Sequence, residues 1–122
     1  MPKLLIVEDE EAFRQFITLA LNLEGYDVRS ANNGEQALTA LRDVPPDLVV
    51  LDLSLPHISG WDVLHFMRGD PQLKDTPVLV LTANADAETR RRSVEEGVHR
   101  LLVKPVGLDD ILDAIRDSIQ TP

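Results

Sequence analysis

The chain has 122 residues, 43% of them hydrophobic, and a formal net charge of −9 at pH 7. This length suits one domain with one hydrophobic core, so we expect a single domain over residues 1–122. The acidic balance argues against direct binding of nucleic acid, which needs a basic face, and the absence of cysteine excludes disulfides and thiolate metal sites.

The longest apolar runs are short. None approaches the roughly 20 residues that a membrane span needs, and the run at 4–7 is too short for the core of a signal peptide. We therefore expect a cytoplasmic protein without membrane contact. One basic run, Arg90-Arg91-Arg92, is interpreted as a solvated helix face rather than a docking patch.

Five strands alternate with five helices in the hydrophobic pattern. The strands are predicted at 3–7, 27–31, 47–52, 78–82 and 100–103. The helices are predicted at about 11–24 and 34–42, from 59 or 60 to 69, at about 86–96, and across 108–119. The first helix is expected to bury a face made of Phe13, Phe16, Ile17, Ala20 and Leu21.

Two turn residues help to place the helix ends. Gly25 follows the first helix, where a left-handed cap is favoured. Asn33 is a candidate N-cap of the second helix, although the pair Asn33-Gly34 is also typical of a hairpin turn. The helical spacing that follows Asn33 favours the cap.

The first, third and fourth predicted strands are almost entirely apolar. This pattern is typical of strands that helices cover on both faces of a parallel sheet. With right-handed crossovers, it predicts a flavodoxin-like α/β fold, a doubly wound (βα)5 three-layer sandwich with strand order 2-1-3-4-5.

Polar residues stand at the carboxyl ends of four predicted strands. Glu8 and Asp9 follow the first strand, Asp52 ends the third, Thr82 ends the fourth, and Lys104 follows the fifth. Each has an ordinary interpretation alone; the acidic pair, for example, suits a helix start. Because ligands bind at this edge of open α/β sheets, we interpret their joint placement as a site.

The chemistry of this set favours a divalent cation. Clustered carboxylates repel one another, and their titrations are coupled. Mg²⁺ relieves the repulsion and prefers oxygen ligands, with Mn²⁺ as an alternative ion. A carboxylate, a metal, a lysine and a hydroxyl are the groups needed to receive a phosphoryl group.

The sequence resembles the CheY-like receiver domains of two-component response regulators over essentially its whole length. The matching segments are LLIVEDE at 4–10, PDLVVLDLSLPHISGWDVL at 46–64, PVLVLTA at 77–83 and LLVKP at 101–105. The resemblance implies that Asp52 is the phosphoacceptor. It also implies that Asp9 binds Mg²⁺ directly, that Glu8 binds it directly or through water, and that Ser54 offers a backbone carbonyl.

The resemblance further implies that Thr82 hydrogen-bonds a phosphoryl oxygen, that Lys104 pairs with it, and that the Lys104-Pro105 bond is cis. The phosphoryl donor would be a sensor histidine kinase or a histidine phosphotransfer protein. The implied function is a phosphorelay switch, not an enzyme acting on other substrates, which signals to a downstream protein through the face of helix 4, strand 5 and helix 5. We expect a monomer or weak dimer.

Departures from the family pattern leave alternatives open. Leu101 stands where an aromatic is usual, so an aromatic rotamer is not the switch and a pseudo-receiver that binds partners without phosphorylation remains an alternative. A small aspartate-nucleophile phosphohydrolase is a second alternative, disfavoured because Ser54 stands where its acid/base aspartate belongs. His57, His65 and His99 are interpreted as surface residues. Trp61 is expected to help cover the loop after Asp52, with the hypothesis that its fluorescence reports metal or phosphate.

Overall fold

The computed structural model describes residues 1–120 of the chain. Within this range the strands are β1 (Lys3–Val7), β2 (Asp27–Ala31), β3 (Leu48–Asp52), β4 (Val78–Thr82) and β5 (Arg100–Val103). The helices are α1 (Glu11–Leu23), α2 (Gly34–Asp43), α3 (Gly60–Arg68), α4 (Ala87–Glu95) and α5 (Leu108–Gln120). The domain that we expect over residues 1–122 therefore includes two residues, 121 and 122, that lie outside the described part.

The strands form one parallel sheet in the order β2-β1-β3-β4-β5. Helices cover both of its faces, so the predicted doubly wound, flavodoxin-like α/β fold is confirmed. The strand order reverses between β1 and β3, whose register pairs Val7 with Leu51. The carboxyl ends of these two strands flank the crevice in which such sheets bind ligands.

Side chains of the central strands alternate between two cores, one on each face of the sheet. In β1, Leu5 and Val7 belong to one core, whereas Leu4 and Ile6 belong to the other. Residues of α2 and α3 cover the first core, and residues of α1 and α5 cover the second. As a result, every residue of β3 and β4 is buried, so these strands rigidly support the residues at their carboxyl ends.

Two turn predictions are confirmed, and one helix prediction needs correction. Gly25 has a φ of 95°, and the side chain of Asn33 accepts a hydrogen bond from the backbone N–H of Gln36. Phe16 is not part of the buried face of α1 but 53% exposed, because the helix turns it away from the core. Asp86 precedes α4 as its N-cap and accepts a hydrogen bond from the backbone N–H of Thr89.

Helix α4 has little apolar contact with the sheet. Ser93 is the one buried residue among those of α4, and Val94 is 80% exposed. The three arginines Arg90, Arg91 and Arg92 are exposed, and their interpretation as a solvated helix face stays a prediction. No helix within residues 1–120 combines the length and the apolar character that crossing a bilayer requires.

A cation–π contact joins α4 to α3. The guanidinium of Arg92 lies 4.5 Å from the ring centroid of Trp61, which also packs against the core below α3. His57, His65 and His99 are exposed, as predicted.

Gly60 lets the start of α3 approach the end of β3. A Cβ atom at Gly60 would lie 2.5 Å from the carbonyl oxygen of Asp52 and 2.6 Å from the Cα of Leu53. Ser59 caps the helix, with its side chain and that of Asp62 each accepting a hydrogen bond from the other's backbone N–H. The helix therefore packs directly on the backbone that carries Asp52.

We predict that Gly60→Ala lowers the free energy of unfolding by about 1–3 kcal/mol, because the added methyl group meets backbone that has no room to shift. Urea denaturation measures this difference. Gly69→Ala is the matched control: its nearest contact is 3.7 Å away, so its effect should stay within about 0.5 kcal/mol. Equal effects of the two substitutions would contradict the close approach.

Candidate functional site

The polar residues predicted at the strand ends lie along one edge of the sheet. Glu8 follows β1, Asp52 ends β3 and Thr82 ends β4, and their exposed fractions are 1%, 2% and 4%. Asp9 is exposed, and Lys104 lies half-buried after β5. The structure thus brings residues from four strands to the edge that the sequence predicted, since the carboxyl ends of parallel strands meet there.

Lys104 joins two of the carboxylates. Its Nζ donates to both oxygens of Glu8, at 3.2 Å to Oε1 and 3.1 Å to Oε2, and to Oδ2 of Asp52 at 3.1 Å. The side chains of Glu8 and Asp52 are 1% and 3% exposed, whereas that of Lys104 is 25% exposed. The ammonium therefore gives both buried carboxylates a hydrogen-bonded cationic partner and offsets part of their combined negative charge, as buried charges require.

The second oxygen of Asp52 is also held. The backbone N–H of Ser54 donates to Oδ1 at 2.9 Å, while Oδ2 accepts from Lys104. Together with burial in β3, these bonds fix the orientation of the carboxylate. Ser54 itself is exposed, and the metal-binding role of its carbonyl stays a prediction.

Three carboxylates at this edge lie close enough together that they could hold a metal ion. Ligand oxygens of Glu8, Asp9 and Asp52 all lie within 4.8 Å of one another. Hard oxygen donors of this kind suit Mg²⁺, which binds through one or two carboxylates and keeps several waters. Because Asp9 is exposed, a hydrated ion has access from solvent. The donor set fits the predicted ion.

The charges of the site shift two pKa values. Burial raises the pKa of Glu8 from 4.5 to about 7, reinforced by the hydrogen bond and negative charge of Asp52 and opposed by Lys104. Burial alone would lower the pKa of Lys104, but its hydrogen bonds to Asp52 and Glu8 outweigh that effect and raise it. The lysine therefore stays charged, whereas the charged form of Glu8 is destabilised.

The hydroxyl of Thr82 is bonded to the turn before α4 rather than to the acidic cluster. Its Oγ1 donates to the carbonyl of Asn84 and accepts from the Asn84 backbone N–H, each at 3.1 Å. The Asn84 side chain lies 3.4 Å from the carboxylate of Asp86, the N-cap of α4. Thr82 thus connects the site to α4.

Two residues of α1 contact the site without having been predicted to do so. Nη1 of Arg14 donates to the carbonyl of Glu8 at 3.1 Å, and the ring centroid of Phe13 lies 5.6 Å from Nζ of Lys104. The sequence does carry a signal for them, since the first turn of a helix that directly follows β1 must lie at the same edge. The predicted cis bond between Lys104 and Pro105 is confirmed.

The raised pKa of Glu8 predicts a pH dependence of stability. Between about pH 4.5 and pH 7 the folded protein keeps a proton on Glu8 that the unfolded chain releases. The contribution of Glu8 to the free energy of unfolding therefore falls as pH rises through this window and levels off above it.

Glu8→Gln removes this titration. Urea denaturation in metal-free buffer should show the free energy of unfolding of the variant, minus that of the wild type, increasing from about pH 5 to about pH 8. Glu11→Gln, at an exposed carboxylate on α1, serves as control and should show no such trend. A difference for Glu8→Gln that is constant or decreases with pH would contradict the assignment.

A family model described as the response regulator receiver domain matches residues 4–116. Curated relatives include the transcriptional regulatory protein KdpE of Mycobacterium tuberculosis, 35% identical over 120 residues, and the DNA-binding dual master transcriptional regulator RpaA of Synechocystis sp., 33% identical over 116 residues. The matches cover 98% and 95% of this chain but 52% and 48% of those proteins. The chain spans about half the length of these relatives.

Solved structures give the same result. The non-phosphorylated HemR receiver domain from Leptospira biflexa has a TM-score of 0.93 and 34% identity, over 100% of this chain and 97% of that one. The chemotaxis protein CheY4 of Vibrio cholerae has a TM-score of 0.91 and 29% identity, over 97% of this chain and 98% of that one. The chain therefore belongs to the response regulator receiver domains of two-component signalling.

Proposed function

We propose that this receiver domain is a switch set by a phosphoryl group on Asp52. The observation that carries the proposal is the Lys104 ammonium, which is bonded to the buried carboxylates of Asp52 and Glu8. A lysine in this place neutralises charge on an incoming phosphoryl group, and a carboxylate held on both oxygens is oriented to attack it. The convergence of these groups supports phosphoryl transfer better than a purely structural ion pair.

In the proposed step, an oxygen of Asp52 forms a bond to phosphorus while the bond from phosphorus to a donor histidine nitrogen breaks. The electron pair of that bond returns to the imidazole. Lys104 then donates a hydrogen bond to a phosphoryl oxygen in place of one of its bonds to the carboxylates. The Thr82 hydroxyl breaks its hydrogen bond to Asn84 and donates to a second phosphoryl oxygen. Later attack of water on phosphorus releases inorganic phosphate and restores Asp52.

We propose Mg²⁺ as the ion of the site, with Mn²⁺ as the alternative. Asp9 and Asp52 would hold it through carboxylate oxygens, Glu8 directly or through water, and Ser54 through its backbone carbonyl. The close approach of the three carboxylates supports this ligand set. When bound, the ion supplies positive charge against the phosphoryl oxygens.

The proposed donor is a phosphohistidine on a sensor histidine kinase or a histidine phosphotransfer protein. A downstream protein would contact the face of α4, β5 and α5, where Val94 and Val103 are 80% and 43% exposed. RpaA is named as a DNA-binding regulator, whereas the charge of −9 supports a protein partner for this domain, with no direct contact to nucleic acid or membrane. We place it in the cytoplasm as a monomer or weak dimer.

In this proposal the domain turns over only its own phosphoryl group, so it is a switch and not an enzyme in the usual sense. The two alternatives are a pseudo-receiver, which would never be phosphorylated, and a phosphohydrolase, which would turn over many esters. Ser54, two residues after Asp52, has no carboxylate to act as the acid/base of a hydrolase.

Incubation with acetyl phosphate and Mg²⁺ should add one phosphoryl group to the protein, because the site carries its own charge stabilisation. Intact-mass spectrometry measures the gain. Asp52→Asn should abolish it, whereas Asp47→Asn, at the exposed residue that precedes β3, should retain it. No gain in the wild type would favour the pseudo-receiver, and multiple turnover of varied phosphate esters would favour the hydrolase.

Mg²⁺ should raise the free energy of unfolding, because the ion binds the folded carboxylate cluster and not the unfolded chain. The expected increase is about 2.7 kcal/mol when the Mg²⁺ concentration is 100 times its dissociation constant. Asp9→Asn should remove most of this increase in urea denaturation. Asp27→Asn, an exposed residue at the amino end of β2, is the control and should keep it; loss in both variants would contradict the site.

A further inference from the structure

The contact between Phe13 and Lys104 has no part in the proposed function as described so far. Phe13 lies in the first turn of α1, and its ring centroid is 5.6 Å from Nζ of Lys104. We infer that Phe13 is a positioning residue that keeps the Lys104 ammonium turned toward Asp52. The inference rests on the proposed function, since it concerns the lysine that would bind the phosphoryl group.

Lys104 has other carboxylates within its surroundings. Its long side chain is flexible, and Asp9 and Glu10 are exposed acids on the loop that follows β1. Glu10 lines the same cavity of about 520 Å³ as Lys104. Three hydrogen bonds already hold the ammonium on Glu8 and Asp52, and a contact on another side of Nζ would further restrict its movement toward these exposed acids.

Most residues that line this cavity are apolar. Besides Glu10 and Lys104, it is lined by Phe13, Ala83, Pro105 and Val106. The ammonium is thus placed between two buried carboxylates and the face of an aromatic ring, whose quadrupole attracts a cation. This arrangement stabilises the charged lysine in one orientation and reduces its contact with water.

The ring has a firm support. Phe13 packs against the core shared by α1 and α5, and the neighbouring Arg14 fixes the first turn of α1 to the carbonyl of Glu8. The next aromatic of the same helix, Phe16, is 53% exposed, and none of its described contacts is with the site. Phe16 therefore provides a matched control on the same helix.

The test compares rates of mass gain with acetyl phosphate and Mg²⁺. Phe13→Leu, which keeps an apolar side chain and removes the ring, should slow phosphorylation by about 3- to 10-fold, where tenfold corresponds to about 1.4 kcal/mol. Phe13→Tyr, which keeps the ring, and Phe16→Leu should stay within about twofold of the wild type. A wild-type rate in Phe13→Leu, or equal slowing in Phe13→Leu and Phe13→Tyr, would overturn the inference.

A second readout does not require phosphorylation. In NMR spectra of the unphosphorylated protein, the ring current of Phe13 should shift the ε-methylene protons of Lys104, and this shift should be lost in Phe13→Leu or Phe13→Met and kept in Phe13→Tyr. If the wild type fails to gain a phosphoryl group, the proposed function fails, and these shifts still test whether the ring of Phe13 lies against Lys104. Identical Lys104 shifts in all variants would overturn the inference on their own.

Discussion

One ammonium group, the Nζ of Lys104, is the interaction on which the site depends. Glu8 and Asp52 are carboxylates almost without exposure, and Lys104 donates hydrogen bonds to both. Without the lysine, two neighbouring anions would remain in a poorly solvated crevice, a far more costly arrangement than the paired one. The raised pKa of Glu8 shows that its negative charge remains unfavourable even beside Lys104. A divalent cation is suited to stabilise that charge.

The fold provides the rigidity that this pairing needs. Glu8, Asp52 and Lys104 come from three different strands, so their distances are fixed only if β1, β3 and β5 keep their relative positions. Full burial of β3 on both faces, and the close packing of Gly60 on the Asp52 backbone, hold the central carboxylate. Helix α4 buries only Ser93 among its residues, so it is packed less closely than the strands. Thr82 is hydrogen-bonded to Asn84 in the turn before α4. A change in the position of Thr82 would therefore act on this loosely packed helix.

The strands of the sheet and the residues of the site could be predicted from the sequence, because both follow from local patterns. Apolar runs bounded by Gly, Pro and charged residues place β1, β4 and β5 correctly, and parallel pairing then brings Asp52 and Lys104 together. What could not be predicted depends on rotamers and on helix rotation about its axis. The exposure of Phe16, the contact of Arg92 with Trp61 and the bonds of Thr82 to Asn84 all arise from such tertiary detail.

The most direct test of the account is to locate the modified residue. Protein treated with acetyl phosphate and Mg²⁺ is reduced with borohydride, which converts an aspartyl phosphate to homoserine, and the peptides are sequenced by mass spectrometry. The account predicts homoserine at position 52 alone, because Asp52 is the proposed phosphoacceptor, and Ser54 and Lys104 hold one of its oxygens each. Homoserine at position 9, or an unreduced Asp52 in protein that has gained a phosphoryl group, would contradict it.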